Sequence, residues 1–230
     1  MTDRDKLIQQ YYNHYSKIAK DVAEGICPPI FFNSGFIDKQ CKVEDTDKHC
    51  LIYTHLIEKY NVNVNSKTLI ELGCGFGKGC YFLKSKYNIQ EIVGCDINSD
   101  LLSVARQLYT KTKFITEDII SLQSINRFFD IALTIETGTY WIGNPRTNSS
   151  FSSVVKPGGY LLIATDVKNS VNIADSLPDF VLQDESDITH HVLSSLNEDS
   201  IIQNVYKKRI QRLNTTYRYI SQVYKKREQQ

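Results

Sequence analysis

The sequence predicts an α/β fold in which short apolar strands alternate with helices. Three observations carry this prediction. The apolar segment 68–72 runs into a glycine-rich turn and then into a helix-like segment. A second apolar segment, 91–96, ends in an acid, and a third, 129–136, ends in the same way. Strands separated by helices in this manner pair side by side in one largely parallel sheet.

The turn after the first strand carries the strongest functional signal in the chain. It reads E-L-G-C-G-F-G-K-G from Glu71, with glycines at Gly73, Gly75 and Gly77. Glycines allow a positive φ and a close approach to a ligand, and the helix that follows presents free N–H groups. A dinucleotide fingerprint would need a glycine at position 78, where the chain has Lys78. The pattern therefore predicts a different nucleotide-like cofactor. An ordinary glycine-rich turn is the alternative, and it is disfavoured because the acid and four glycines fall together after a strand.

Asp96, at the end of the second strand, is the candidate for holding a ribose. It follows Glu71 by 96 − 71 = 25 residues, close to the offset of ~20 residues typical of a doubly wound fold. Two adjacent ribose hydroxyls are donors, and one carboxylate can accept from both. The alternative is a helix N-cap or turn residue, which becomes the weaker interpretation once the glycine turn lies at this offset.

These residues resemble the first motifs of class I S-adenosylmethionine-dependent methyltransferases. Segments 113–119 and 129–136 are similar to the third and fourth strands of that family. Segment 154–164 is similar to its helix end, Pro-Gly-Gly turn and fifth strand. The similarity covers about residues 68 to 165 and extends more weakly over most of the chain. It implies a Rossmann-like seven-stranded mixed sheet whose last strand is antiparallel and lies between the fifth and the sixth.

The resemblance also implies S-adenosyl-L-methionine as the cofactor and S-adenosyl-L-homocysteine as its product. In the family the acid after the third strand, here Asp118, lies near the adenine amino group. Glu136, after the fourth strand, is expected beside the sulfonium or the methionine amino group, because a carboxylate attracts a cation. The cofactor-binding residues implied are Tyr12, Glu71, Gly73, Gly75, Gly77, Asp96, Ile97, Asp118, Ile119 and Glu136.

The N-terminal part predicts a helical lid. Apolar side chains recur every three or four positions over residues 4–23, which is typical of an amphipathic helix, and Gly25 followed by Pro28-Pro29 ends it. The helix and the next loop resemble small-molecule methyltransferases of the sterol, sugar and lipid-polyketide type, in which such a lid folds over the cofactor. The lid's aromatic residues either wall an acceptor pocket or pack the lid onto the core. They are Tyr11, Tyr12, Tyr15, Phe31, Phe32 and Phe36.

The predicted organisation is a single domain, 1–230, with the lid and loop at 1–45 and the α/β core at 46–230. A late helix followed by a last strand fits the methyltransferase sheet, although any edge strand would alternate in the same way. The further elements predicted in the core are a helix over about 47–60, a helix capped by Ser99, a strand at 180–183, a helix over about 188–212 and an alternating strand at 217–224.

Methyl transfer requires the donor and the acceptor to be held in line, and a hydroxyl acceptor also needs a base. Sugar-type relatives use a His after the fourth strand, but here that segment reads E-T-G-T-Y-W and contains none. The candidate catalytic residues are therefore Tyr140, Asp166 and His190, with His191 as an alternative to His190. Each has a plainer interpretation as a packed side chain, a strand-end cap or a helix-surface residue. The acceptor predicted is a small apolar or amphipathic molecule, with O-methylation favoured over C- or N-methylation.

Composition limits the partners and the location. The 230 residues suffice for one domain with a sizeable core, and a formal net charge of +1 argues against nucleic acid binding. No apolar run reaches the ~18 residues that span a bilayer, and the N-terminus lacks the apolar stretch of a secretory signal. Six cysteines without C-x-x-C or His/Cys metal spacing predict reduced thiols, no metal site and a cytoplasmic location.

Two other functions stay open from the sequence. The missing His leaves room for a catalytically silent methyltransferase-like subunit that binds the cofactor or a partner protein. A nicotinamide-dependent oxidoreductase is the second, and Lys78 in place of a glycine argues against it.

Overall fold

A computed structural model describes residues 2–27, 33–35, 37, 47–197 and 200–228, and of residues 197 and 200–206 it describes the backbone alone. The predicted wall residues Phe31, Phe32 and Phe36 lie outside the described residues. The helices are α1 (Asp3–Ala23), α2 (Lys48–Glu58), α3 (Lys78–Lys86), α4 (Ser99–Leu108), α5 (Thr147–Val154), α6 (Thr189–Asn197) and α7 (Ser200–Leu213). The strands are β1 (Thr68–Leu72), β2 (Glu91–Asp96), β3 (Lys113–Thr116), β4 (Phe129–Ile135), β5 (Val155–Lys168), β6 (Phe180–Asp187) and β7 (Tyr217–Lys226). Short 3₁₀ turns lie at Gly138–Tyr140 and Ile173–Ser176.

The seven strands form one mixed sheet in the order β3-β2-β1-β4-β5-β7-β6. β1 pairs in parallel with both β2 and β4, so the strand order reverses at β1, and β4 pairs in parallel with β5. β7 lies between β5 and β6 and is antiparallel to both. This confirms the predicted Rossmann-like sheet with its inserted antiparallel strand. Ligands of open α/β sheets bind beyond the carboxyl ends of the strands at such a reversal.

Helices cover both faces of the sheet, and the alternation along β1 shows how the sequence produces this arrangement. Leu69 packs into the core on one face, while Ile70 and Leu72 pack into the core on the other, and all three are fully buried. Successive strand side chains point to opposite faces, so an apolar run without polar breaks specifies a strand covered on both sides.

Helix α1 is held differently from the helices of the core. A capping box starts it: Asp5 N–H donates to the Thr2 hydroxyl, and Thr2 N–H donates to the Asp5 carboxylate. Along the helix only Ala19 and Val22 are buried, and they pack against α4 near its C-terminal end. Toward the N-terminus of α1 the contact with the core continues through Tyr11, Tyr15 and Ile18, which are only partly buried.

Several element boundaries differ from the predicted ones, each for a local reason. Asn98 rather than Ser99 caps α4, because the Asn98 side chain accepts from the N–H groups of Asp100 and Leu101. The sixth strand runs on to Asp187, whose carboxylate then accepts from Thr189 N–H at the start of α6. The segment predicted as one helix over 188–212 is helical in its described parts, α6 and α7, and residues 198–199 between them lie outside the described residues.

Across the part of the chain that the structure describes, no helix has both the length and the apolar character needed to cross a bilayer.

Candidate active site

The turn between β1 and α3 has the backbone that its glycines predict. Gly73, Gly75 and Gly77 all have positive φ, at 79°, 54° and 73°. A Cβ on Gly73 would collide with the side chain of Thr137, which follows β4. The N–H groups of Gly73 and Cys74 both donate to the carbonyl of residue 95, at 2.7 and 3.0 Å, and so tie the turn to β2. The turn is a rigid cradle whose shape depends on the missing side chains.

Asp96 lies beside this cradle and is 3% exposed. One carboxylate oxygen accepts from Gly75 N–H and the other from Asn98 N–H, both at 2.9 Å. Burial raises the pKa of Asp96, while these hydrogen bonds lower it and favour the carboxylate. The hydroxyl of Tyr11, on α1, lies 3.1 and 3.2 Å from the two oxygens. Burial and the neighbouring carboxylate raise the pKa of Tyr11 well above its usual value, so its hydroxyl remains a donor.

Asp118, just beyond β3, is paired with a residue of the lid. Arg4 donates to its two oxygens at 2.5 and 2.9 Å, and the Arg4 Nε–H donates to the Tyr140 carbonyl at 2.9 Å. Ile120 N–H donates to the same carboxylate at 3.1 Å. Tyr12, also on α1, donates its hydroxyl to the Ile97 carbonyl. The N-terminal part of α1 is therefore fastened by polar contacts to the residues that end β2 and β3.

A continuous pocket runs from Asp118 past Asp96 and the glycine turn to Glu136. Eight of the residues predicted from the sequence line it: Gly73, Gly75, Asp96, Ile97, Asp118, Ile119, Glu136 and Tyr140. Among the described residues, five predicted ones are outside its lining: Tyr12, Glu71, Gly77, Asp166 and His190. Lid residues Arg4, Tyr11 and Tyr15 complete the wall, and their positions were not specified by the motif.

Glu71 lies beneath the cradle at 2% exposure. Its oxygens accept from the Tyr53 hydroxyl at 2.7 Å and from the Cys80 thiol at 2.9 Å. Burial raises the pKa of Glu71 to about 7, although these two donors oppose the shift. A Cβ on Gly79 would lie 2.6 Å from the carboxylate, so the glycine at that position makes room for it. In this structure Glu71 supports the turn from below.

Glu136 is the most connected residue at the other end of the pocket. It has φ +57°, which is uncommon for a residue other than glycine and is frequent at functional sites. One oxygen accepts from Ser34 N–H at 2.6 Å and from the Tyr219 hydroxyl at 3.1 Å. The other accepts from Arg209 of α7. Glu136 thus accepts from three donors in a largely buried position.

Arg209 bridges two buried carboxylates. Besides Glu136 it donates to Asp166, at the end of β5, at 2.9 Å. The side chains of Arg209, Glu136 and Asp166 are 13%, 6% and 12% exposed. Burial alone would lower the pKa of Arg209, but the two carboxylates outweigh it and raise that pKa. The second oxygen of Asp166 is 3.7 Å from Arg212, beyond hydrogen-bond distance. The formal charges of Arg209, Glu136 and Asp166 add up to one negative charge.

The loop that sequence predicts as part of the lid is described at residues 33–35. Asn33 lines the pocket and accepts from Gly35 N–H at 2.9 Å, and His49 Nδ1 lies 2.7 Å from the Asn33 carbonyl. Burial lowers the pKa of His49, which favours a neutral ring. Ser195 of α6 donates to the Ser34 carbonyl at 2.9 Å. The loop is thereby pinned between α2, α6 and Glu136.

The three candidate catalytic residues occupy different environments. Tyr140 lines the pocket with its ring 5.7 Å from that of Tyr11, and burial raises its pKa to about 12, so it stays protonated near neutral pH. His190 is exposed, because the neighbouring residues Ile188 and Val192 turn the opposite face of α6 inward. His191 Nδ1 lies 2.7 Å from the Ile37 carbonyl and so contacts the lid loop.

Sequence reasoning missed the arginines that organise the pocket. Arg4 is one charged residue in an amphipathic helix, and Arg209 follows two lysines in a run typical of a solvated face. Neither has a local pattern that distinguishes it from its neighbours. Their carboxylate partners are 114 and 73 residues away in the chain.

Comparison with known proteins shows which family the chain resembles. Residues 70–163 match the model of a family described as a methyltransferase domain. The chain is similar to methyltransferases over this segment, and its sheet order is the one that the resemblance to class I S-adenosylmethionine-dependent methyltransferases implied. The match begins inside β1 and ends inside β5, so it includes the glycine turn, Asp96 and Asp118.

Two proteins similar to this chain are a phthiotriol/phenolphthiotriol dimycocerosates methyltransferase of Mycobacterium leprae and a fatty-acid O-methyltransferase of Mycolicibacterium smegmatis. The first is 26% identical over 52% of this chain and 44% of its own length. The second is 29% identical over 49% of this chain and 42% of its own length. The chain thus matches a little under half the length of these curated relatives.

Two solved structures share the fold over nearly the whole chain. The [4+2]-cyclase SpnF has a TM-score of 0.72 and 17% identity, with 96% of both chains covered. Geranyl diphosphate C-methyltransferase of Streptomyces coelicolor A3(2) has a TM-score of 0.72 and 12% identity, with 98% of both chains covered. At these identities the likeness is one of fold, and one of the two proteins is named a cyclase. The reaction has to be argued from the site.

Proposed function

We propose that this protein transfers the methyl group of S-adenosylmethionine to a small amphipathic molecule bearing a hydroxyl or carboxyl oxygen. The observation that carries the proposal is the pocket that joins Asp118, Asp96, the glycine cradle and Glu136. Its residues follow one another in the order in which an adenine, a ribose and a methionine are connected.

The chain's own residues fit that cofactor. The Asp96 carboxylate accepts from a ribose diol, and Asp118 accepts from an exocyclic amino group. At Gly73 the side chain of Thr137 fills the space that a Cβ would need, so glycine lets the turn pack closely against the residue that follows β4, and the backbone of Gly73 and Gly75 lines the pocket. Near Glu136 the net negative charge of the buried cluster stabilises a cationic sulfonium. A diphosphate would meet the carboxylates of Asp96 and Asp118 and be repelled.

When bound, S-adenosylmethionine supplies an electrophilic methyl group on a positively charged sulfur. The protein's contribution is to align the acceptor and to exclude water. Tyr11, Tyr15 and Tyr140 wall the pocket with aromatic rings. The phenol of Tyr140 is a donor near neutral pH and can orient an acceptor oxygen.

The proton of a hydroxyl acceptor needs a destination, and we assign it to Asp166, which lies outside the pocket lining behind Glu136 and Arg209, so that a water molecule has to carry the proton to it. One of its oxygens is held by Arg209, and the other makes no hydrogen bond among the described residues. With S-adenosylmethionine bound, methyl transfer to the acceptor oxygen would leave the electron pair of the carbon–sulfur bond on sulfur, and Asp166 would take the acceptor's proton and pass it on to water. One relative is named a fatty-acid O-methyltransferase, which supports an oxygen acceptor. Another is named a phosphoethanolamine N-methyltransferase, so nitrogen has to be tested beside it.

The test combines calorimetry with a turnover assay. S-adenosylmethionine and S-adenosylhomocysteine are titrated into the protein, and labelled methyl transfer is then measured with a fatty acid, a long-chain alcohol and phosphoethanolamine. Binding with transfer to oxygen is expected. Absence of binding contradicts the methyltransferase function, and binding without transfer to any acceptor favours the catalytically silent subunit.

A substitution at Asp166 tests its proposed role as the base. Asp166→Asn keeps an oxygen for Arg209 but cannot take a proton, so turnover is expected to fall by about two orders of magnitude while cofactor affinity is kept. Asp184→Asn, on the exposed part of β6, is the matched control. Equal turnover in both variants would remove Asp166 from the mechanism.

A further inference from the structure

The protein itself takes most of the hydrogen-bonding capacity of Asp96. An ionised carboxylate has about four acceptor positions, two on each oxygen. The N–H groups of Gly75 and Asn98 take one position on each oxygen. The Tyr11 hydroxyl, 3.1 and 3.2 Å from the two oxygens, lies in the fork between them and donates its one proton there, so at most one acceptor position remains.

A ribose diol needs that same fork. Its two hydroxyls donate one to each carboxylate oxygen, and both backbone donors of Asp96 are fixed by the cradle and by the start of α4. No other pair of acceptor positions is left on Asp96 among the described residues. The Tyr11–Asp96 hydrogen bond and a diol bound to Asp96 therefore exclude each other.

The second anchor of the same helix lies on the adenine side. Arg4 forms a two-pronged ion pair with Asp118 and donates to the Tyr140 carbonyl. Arg4 and Tyr11 are seven residues apart, close to two helical turns, and so project from the same face of α1. One helix face thus occupies two of the carboxylates assigned above to the adenosine.

The packing of α1 is tightest near its C-terminal end. Its buried residues, Ala19 and Val22, lie there and pack on α4. Tyr11, Tyr15 and Ile18 continue this apolar contact toward the N-terminal end but are only partly buried. Just beyond the helix, Gly25 has φ +72°, and a Cβ added to it would meet no atom within 4 Å. The N-terminal part of α1 is therefore held by partly buried aromatic rings together with the polar contacts of Arg4 and Tyr11.

We propose that α1 is a self-inhibitory clasp whose Tyr11 and Arg4 occupy the adenosine-binding carboxylates and must release before the cofactor enters. The inference rests on the proposed function, since it uses the placement of the ribose on Asp96. A site that is competent only when the clasp is open has its apparent affinity reduced by the open fraction. Removing a clasp contact therefore tightens binding, whereas damage to a binding residue weakens it.

The test is titration of S-adenosylhomocysteine into the wild type and Tyr11→Phe. The variant keeps the ring that contacts Tyr15 and Tyr140 and loses only the hydroxyl. We expect its dissociation constant to fall about tenfold, since the lost hydrogen bond is made to a charged group. Arg4→Met is expected to change affinity in the same direction. Tyr109→Phe, away from α1, and Lys6→Met, on the exposed face of α1, are the matched controls.

The rate at which the ligand associates gives a second measurement on the same proteins. Trp141 is the chain's single tryptophan, and its indole N–H donates to Thr137 at 2.9 Å, beside the pocket. Its fluorescence reports ligand entry in a stopped-flow experiment, and the association rate should rise in Tyr11→Phe.

The outcomes separate the two proposals. Wild-type binding with Tyr11→Phe equal or weaker overturns the clasp and leaves the proposed function standing. Failure of every variant to bind overturns the proposed function, and the clasp with it. Tighter and faster binding in Tyr11→Phe and Arg4→Met, with unchanged controls, supports the clasp.

Discussion

Apart from the contacts made by α1, the cofactor half of the pocket draws its contacts from nearby chain, whereas the acceptor half draws them from distant chain. In the cofactor half, Asp96 accepts from N–H groups 21 and 2 residues away. In the acceptor half, Glu136 accepts from Ser34 and Arg209, which are 102 and 73 residues away. The first half is held by backbone geometry, and the second by charged side chains that meet only in the folded chain.

The two halves of the pocket should therefore be sensitive to different kinds of substitution. The cradle depends on backbone angles that glycine adopts easily, so a side chain there removes function at a single position. The ion-pair cluster depends on mutual neutralisation, so the loss of one member leaves a charge without a partner in a largely buried place. Four substitutions test this contrast.

Gly75→Val has the largest expected effect on binding. A β-branched residue is strained at φ +54°, and its side chain would enter the pocket that Gly75 lines. We expect affinity for S-adenosylhomocysteine to fall more than about 100-fold by calorimetry, with far-UV circular dichroism largely unchanged. Gly143→Val is the control, because Gly143 has φ +76° with open space around it. Retained affinity in Gly75→Val would contradict the placement of the cofactor.

Arg209→Met should have the largest effect on stability. It leaves the Glu136 and Asp166 carboxylates, 6% and 12% exposed, without their shared cation. The expected loss of unfolding free energy is about 3–5 kcal/mol in urea denaturation. Arg212→Met, on the same helix with a side chain that is 51% exposed, should cost less than about 1 kcal/mol. Similar losses in the two variants would mean that the cluster is not specially stabilising.

Glu71→Gln tests the cofactor half through pH. The folded-state pKa of about 7 is above the value of 4.5 expected when unfolded. The stability that this group contributes is therefore full below pH 4.5 and is lost as pH rises through 7. The variant is neutral throughout, so its stability relative to the wild type should rise by up to ~3 kcal/mol between pH 5 and pH 8.

The measurement for Glu71→Gln is urea denaturation at several pH values. Glu24→Gln, at an exposed position just after α1, provides the reference and should follow the wild-type pH profile. Parallel pH profiles for Glu71→Gln and the wild type would show that Glu71 is ionised throughout this range.

Lys113→Met should have the smallest effect and sets the scale for the others. Lys113 pairs with Glu91 at 3.1 Å, but its side chain is 74% exposed. Solvent screens such a pair, so the change in unfolding free energy should stay below about 0.5 kcal/mol. A loss as large as that of Arg209→Met would remove the distinction between buried and surface pairs on which the comparison depends.

Individual residues show which features of the fold and of the candidate site could be predicted from the sequence. The strands and the positive φ of the cradle glycines were predictable, because periodicity and glycine placement are local signals, whereas the strand order and the inserted β7 were implied by the resemblance to the methyltransferase family. Asp96 and Asp118 were predictable from their positions after strands, and both line the pocket. The cap of α4 was assigned one residue too late, since Asn98 and Ser99 are both good capping residues and only geometry chooses between them.

The amino-acid sequence by itself determined the sheet and the cofactor cradle, because strand alternation and positive φ are properties of short segments. Only the tertiary structure decided that Arg209 joins Glu136 to Asp166, and that Arg4 and Tyr11 reach the carboxylates of the pocket. The sequence around a charged residue does not show which residue it will form an ion pair with. The choice is made by the folded chain, which brings together opposite charges and removes the water between them.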